Sequence, residues 1–311
     1  MPHQDDSAAS SPPAGGAAVV DRPGLLAALA ARISDHITMT KPGITVMVGV
    51  TAGIGFVVGA GGAFEWVSFA AALVGTAMSC MGAGVFNQVI ERDTDALMRR
   101  TADRPLPAGR VSVGEAMLAG VVLAVAGVGL LWVAGNLLAA ALAALTIVTY
   151  AMVYTPLKRM HSVSTVIGAV PGAMPPVIGY AAAAQWIGVE AVLLFAIMFW
   201  WQIPHFLAIG WLYRDEYARA GLPILPVIDP TGAQTFRQIL VTSGLLLVAG
   251  LLPTLFGFAG WIAFAVALAA GGWFLVLAVR LVRQPTRQRA RGLFLASLVY
   301  LPVVLAAVVV G

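Results

Sequence analysis

One segment of the chain gathers the residues with the clearest chemical potential: Asn87-Gln88-Val89-Ile90-Glu91-Arg92-Asp93-Thr94-Asp95, followed by Arg99, Arg100 and Arg104. Asn87, Glu91 and Asp95 stand at i, i+4 and i+8, so on a continuous helix they share one face, drifting about 40° per step. Stacked oxygen donors suit a hard cation. Mg²⁺ is commonly held by one or two carboxylates, with water and phosphate oxygens completing its octahedron. The arginine forks that follow match phosphate oxygens two at a time. Acid and then base within one stretch is what a metal-bridged diphosphate requires. The same spacing also suits a plain intrahelical ion pair, Asp95 with Arg99. Arg104-Pro105-Leu106-Pro107 ends the helix and stiffens the loop beyond it.

A second group runs from Trp200-Trp201-Gln202-Ile203-Pro204-His205 to Tyr213-Arg214-Asp215-Glu216-Tyr217. Asp215 and Glu216 either face a metal or pair with Arg219. His205, beside a mid-span proline expected to kink its helix, is either a buried packing histidine or a ligand-facing one. Between the two groups lies the basic loop Lys158-Arg159-Met160-His161. Its charges serve either orientation in the membrane or anion binding. Pro171-Gly172-Ala173-Met174-Pro175-Pro176 should break another span, and irregular backbone at membrane depth must line a cavity or be buried in protein.

The elements that carry these residues follow from composition. Hydrophobic residues make up 60% of the chain and charged residues 10%, against about 25% charged in soluble domains. Mean hydropathy is +0.90. Such a chain cannot cover itself with polar surface, so lipid is its solvent. Net charge is +4, but the basic residues follow topology rather than a nucleic-acid footprint, and no nucleic-acid partner is expected. The single cysteine, Cys80, excludes an internal disulfide and reads as a small packing residue.

Residues 1–35 read as a disordered cytoplasmic tail, rich in Ala, Gly, Pro and Ser and lacking the apolar run of a signal peptide. Residues 36–311 form an all-α membrane domain. A hydrocarbon layer of about 30 Å needs roughly 20 helical residues. Nine runs qualify, near 43–62, 66–90, 113–134, 137–155, 163–183, 188–212, 237–258, 261–281 and 292–310. Connections alternate between short ones without Lys or Arg and long ones that hold them. Positive residues favour the cytoplasm, which predicts an inner (plasma) membrane protein with N-terminus and polar residues inside and C-terminus outside. Arg280, Arg283, Arg287, Arg289 and Arg291 are explained by that rule alone.

Several segments carry a family resemblance: Thr40-Lys41-Pro42-Gly43-Ile44, Asn87 through Pro105, Lys158-Arg159 with His161-Ser162, Pro175-Pro176-Val177-Ile178-Gly179-Tyr180, Trp201-Gln202-Ile203-Pro204-His205 and Leu225-Pro226-Val227. From about residue 38 onward the chain resembles the UbiA superfamily of intramembrane prenyltransferases, and within it the haem-modifying branch. The resemblance implies a nine-helix bundle that uses Mg²⁺ and farnesyl diphosphate, with haem B as acceptor and a haem A synthase downstream. It also implies metal and catalytic roles for Asn87, Glu91, Asp95 and Glu216, with Asp215 as a further ligand. Lys41, Arg99, Arg104, Lys158 and Arg159 would bind diphosphate, and His161 and His205 are candidates to touch haem. One departure stands out. The superfamily's second Asp-x-x-x-Asp is missing, because Trp211 and Leu212 lie four residues before Asp215 and Glu216. A second metal would rest on fewer direct ligands. Two other readings share these features: prenylation of an aromatic acid or quinone precursor, and a transporter built on broken helices. A transporter would favour an internal inverted repeat, and the sequence shows none.

The topology is directly testable. Single cysteines placed near Ala184 and near Arg289 should react with impermeant reagents from opposite sides of the membrane. Labelling of both from one side would overturn the assigned orientation.

Overall fold

The computed structural model of the protein describes residues 24–310, and among these every regular element is helical. Helix α1 (Leu25–Met39) precedes the spans. Then follow α2 (Pro42–Ala60), α3 (Trp66–Asp95), α4 (Val113–Ala134), α5 (Leu137–Leu157), α6 (Ser164–Ala184) and α7 (Val189–Leu212). Two short helices, α8 (Arg214–Arg219) and α9 (Leu225–Ile228), come next. The chain closes with α10 (Ala233–Leu255), α11 (Trp261–Arg283) and α12 (Arg287–Val310). Nine of these helices are long and apolar enough to cross a membrane, in the places the hydropathy pattern predicts. Most of the expected tail, 1–35, lies outside the described residues. Its last part is a correction: residues 25–35 belong to α1, because Leu25, Leu29, Ile33 and Ile37 recur at helical spacing.

The spans form two packed groups. Phe56, Ala72, Leu131, Ala140 and Ile178 build one core among α2 to α6. Leu194, Ile239, Phe274, Leu293 and Tyr300 build the other among α7 and α10 to α12. In lipid, helices gain little from hydrophobicity and associate through close packing of small residues. The seams show this. A Cβ at Gly179 in α6 would run into the carbonyl oxygen of Ala52 in α2, and one at Gly55 would strike the carbonyl of Pro176. Gly75 and Gly82 in α3 likewise meet the backbone of α4 at Gly127 and Gly120.

The two ends of the bundle differ. At one end the connections are brief, and polar side chains cap two of them: Glu65 accepts from the amides of Val67 and Ser68 to cap α3, and Asn136 caps α5 through the amide of Ala139. Exposed Trp66, Trp132, Trp186 and Trp261 surround this end, as an aromatic belt does at a membrane interface. The opposite end holds the long loops.

Three backbone irregularities point toward that opposite end or the bundle interior. Lys41, between α1 and α2, has φ 51°, an uncommon conformation for a residue with a Cβ. Within α5, Thr149–Tyr154 is a π-helix. Within α6, the proline-rich stretch interrupts the helix at Ala173, as expected. At Pro204 the helix is not broken, and α7 continues through it to Leu212.

The α2–α6 contact makes a stability prediction. Gly179→Leu should lower the thermal midpoint of the detergent-solubilised protein, with over-packing costing about 1–3 kcal/mol or more. Gly272→Leu, where nothing lies within 4 Å of an added Cβ, should leave the midpoint unchanged.

Candidate active site

Because α3 runs unbroken to Asp95, Asn87, Glu91 and Asp95 do share a face, and all three are buried. Each meets a cation or amide from a different element. Lys41 Nζ donates to Asn87 Oδ1 at 2.7 Å. Lys158 Nζ donates to Glu91 Oε1 at 3.0 Å, and Arg104 Nη1 to Asp95 Oδ2 at 2.7 Å. The expected alternative pair, Asp95 with Arg99, does not form; Arg99 is exposed. A run of turns over residues 96–104 brings Arg104 back over the helix end instead, with Thr101 Oγ1 bonded to the Asp95 carbonyl.

Each partner is positioned locally. Gln88, itself buried, donates to the carbonyl of Met39 at 2.6 Å, which fixes the chain two residues before Lys41. The left-handed backbone there turns the lysine inward. In α5 the π-helix ends at Thr155, whose hydroxyl bonds the Tyr150 carbonyl and accepts from Asn87 Nδ2 at 3.2 Å. Asn87 therefore presents its carbonyl oxygen to Lys41. Lys158 follows one turn later.

Together these groups line an open cavity of about 210 Å³. Lys41, Asn87, Glu91, Asp95, Arg100, Arg104 and Lys158 form its polar wall, with Tyr150, Tyr154, Phe206 and Tyr217 on other sides. Burial and the neighbouring Arg104 charge pull the Lys41 ammonium down to about 8, against the opposing pull of Glu91. Lys158 behaves oppositely: burial disfavours its charge, but the Glu91 carboxylate outweighs burial and holds its pKa above the usual lysine value.

Arg100 carries the rim. Its guanidinium lies 4.9 Å from the Tyr217 ring centre and 5.5 Å from that of Tyr213, and it donates to the Tyr217 hydroxyl at 2.6 Å. Its amide approaches Glu216 Oε2 at 3.4 Å. The loop after α3 and helix α8 thus meet across the mouth of the cavity. Tyr150 and Tyr154, and Tyr213 and Tyr217, are i, i+4 aromatic pairs that sequence reasoning passed over; that spacing beside charged residues was the available signal.

Other expected site residues lie elsewhere. Arg159 Nη2 donates to the Ile90 carbonyl and to Thr94 Oγ1, gripping α3 rather than lining the cavity. Asp215 and His161 are exposed. His205 is buried, stacks on Trp201 at 4.8 Å and bonds Ser297 Oγ at 2.6 Å, a packing position between α7 and α12. Among the described residues no group of three or more His, Cys, Asp or Glu is gathered to hold a metal. The donors present on α3 are all oxygens, however, and one or two carboxylates with phosphate oxygens are what Mg²⁺ takes. The residues fit a metal that arrives with its anion.

The helical membrane bundle, with cations and stacked oxygen donors around a cavity, has the build of an intramembrane enzyme. Residues 46–301 match the UbiA prenyltransferase family, and the chain belongs to that family. It is 43% identical to the protoheme IX farnesyltransferase of Solibacter usitatus, over 87% of this chain and 96% of that one. It is also 43% identical to the enzyme of the same name from Koribacter versatilis, over 92% and 94%. Among solved structures it resembles a digeranylgeranylglyceryl phosphate synthase, with TM-score 0.76 and 16% identity over 90% of this chain and 98% of that one. A UbiA homologue from Archaeoglobus fulgidus bound to GPP and Mg²⁺ has TM-score 0.65 at 15% identity, over 89% and 100%. The chain is a multi-pass membrane protein.

The buried Lys158–Glu91 pair predicts a thermodynamic cycle. Lys158→Met removes the hydrogen-bonded countercharge of Glu91 and should cost about 3–5 kcal/mol of stability, read as a lowered thermal midpoint. Adding Glu91→Gln should restore much of the loss. Equal loss in single and double variants would show that the pairing is not what stabilises this region.

Proposed function

We propose that this chain transfers the farnesyl group of farnesyl diphosphate to a vinyl group of haem B, with addition of water, giving haem O and diphosphate. The observation that carries the reading is the cavity. Its polar wall holds cations in excess of what its acids need, and aromatic rings line its other sides. The names of relatives to which the chain is 43% identical over the aligned residues support haem as acceptor over an aromatic acid.

Lys41, Lys158 and Arg104, with Arg100 at the rim, bind the diphosphate and neutralise the charge it gains on leaving. Asn87, Glu91 and Asp95 would hold Mg²⁺, with Glu216 as a candidate from the opposite rim. A bound Mg²⁺ supplies Lewis-acid charge to the leaving oxygens. The allylic C–O bond breaks, and its electrons leave with the diphosphate. Tyr150, Tyr154 and Phe206 offer ring faces to the developing cation and keep water from it. The vinyl π electrons of haem B then form the new C–C bond. Water adds to the resulting cation on the porphyrin side and releases a proton.

We place the site end at the cytoplasmic face, where the basic residues favour it. Residues 36–311 would form the single catalytic unit, and a haem A synthase would consume the product.

Purified protein incubated with haem B, farnesyl diphosphate and Mg²⁺ should yield a species heavier than haem B by one farnesyl and one hydroxyl group in mass spectrometry. An unchanged haem mass would overturn the acceptor assignment. Asp95→Ala should remain folded by size-exclusion chromatography. It should lose charge stabilisation worth several kcal/mol, a fall of about 100-fold or more in kcat/KM.

A further inference from the structure

We infer that α1 is a membrane-surface helix, seated by its own apolar stripe in the headgroup–acyl boundary on the site side of the bilayer. At about 100° per residue, α1 presents three faces. Leu26, Leu29, Ile33 and Ile37 form the first, and they are 82%, 54%, 52% and 54% exposed. Ala27, Ala31, Ser34 and Thr38 form the second. The third is tied to the protein: Arg32 pairs with Glu115 in the first turn of α4, Asp35 bonds Arg110 at 3.0 Å, and Met39 is buried.

These ties define where the helix runs. Arg32 meets the start of α4, and Met39 ends two residues before α2. Both anchor points lie at the end of the bundle that holds the cavity, so α1 crosses that end instead of following the spans. Its apolar face is also continuous with a lipid-facing one. Beyond Ile37 the next exposed aliphatics are Ile44, Val46 and Val50 on the outer side of the first span. Among the described residues nothing covers the stripe. A stripe of large aliphatics beside a ring of charge, level with the mouths of nine spans, has the anatomy of an interfacial helix. Its occupant is the bilayer surface. Because Gln88 holds the Met39 carbonyl, the lipid-seated helix also fixes the chain that presents Lys41 to the cavity.

The test uses the full chain, with Cys80→Ser, in vesicles of phosphatidylethanolamine and phosphatidylglycerol. Ile33→Cys and Ser34→Cys variants are labelled with an environment-sensitive fluorophore and quenched either by doxyl-labelled lipid or by aqueous iodide. Adjacent positions should behave oppositely. The probe at 33 should be quenched severalfold more by doxyl lipid than the probe at 34, and iodide should show the reverse order. The pair Ile37→Cys and Thr38→Cys repeats the comparison should either first variant fail to fold. Iodide quenching equal at both positions would overturn the proposal. So would shielding of position 33 from both quenchers, which would mean that residues 1–23 or a second copy of the chain cover the stripe.

Discussion

Charge at the depth of a membrane is tolerated only when it is matched, and the site is organised around that constraint. Helix α3 carries Asn87, Glu91 and Asp95 inward, and three other stretches of chain each bring one cation to meet them. Lys41 comes from the junction of α1 and α2, Arg104 from the loop after α3, and Lys158 from the end of α5. Neutralisation thus ties together elements that are far apart in sequence. In the proposed reading the same arrangement suits a metal diphosphate, which brings both signs of charge at once: the oxygens of α3 would turn to the metal and the cations to phosphate.

Backbone irregularity flanks the cavity at Lys41 and at Thr149–Tyr154. The left-handed turn at Lys41, the π-helix at Thr149–Tyr154 and the interruption at Ala173 each depart from a regular helix. Such departures are sustained only where surrounding structure over-determines them. Here Gln88 holds the chain before Lys41, and Thr155 spans the π-helix and Asn87 together. The far end of the bundle follows a different economy. Two of its short connections carry a single side-chain cap, at Glu65 and Asn136, and none of the four holds a Lys or Arg.

Close packing makes the cavity possible. Glycines at the α2–α6 and α3–α4 crossings let backbones touch, which draws α3 and α6 together around a narrow interior. Large aromatic side chains then occupy what remains. Arg100, sandwiched near Tyr213 and Tyr217, joins the two loops across the mouth, so the rim is a contact between loops and not an open edge.

Much of this was legible in the chain itself. Apolar runs of sufficient length dictate nine spans, since only helices satisfy their own backbone in lipid. The distribution of Lys and Arg marks one end as different from the other, and the spacing of Asn87, Glu91 and Asp95 places them on one face, because helical periodicity is a local property. Partner choice is not local. That Asp95 meets Arg104 rather than Arg99 depends on a loop turning back. Arg159 grips α3 while its neighbour Lys158 enters the cavity, because successive side chains leave a chain in different directions. His205 stacks on Trp201 one turn earlier on its own helix, but it meets Ser297 only where α12 packs against α7. The spacing of a motif fixes which residues can act together along one helix. Which residues from the rest of the chain arrive opposite them is decided by the packing of helices, and that depends on contacts between residues distant in sequence.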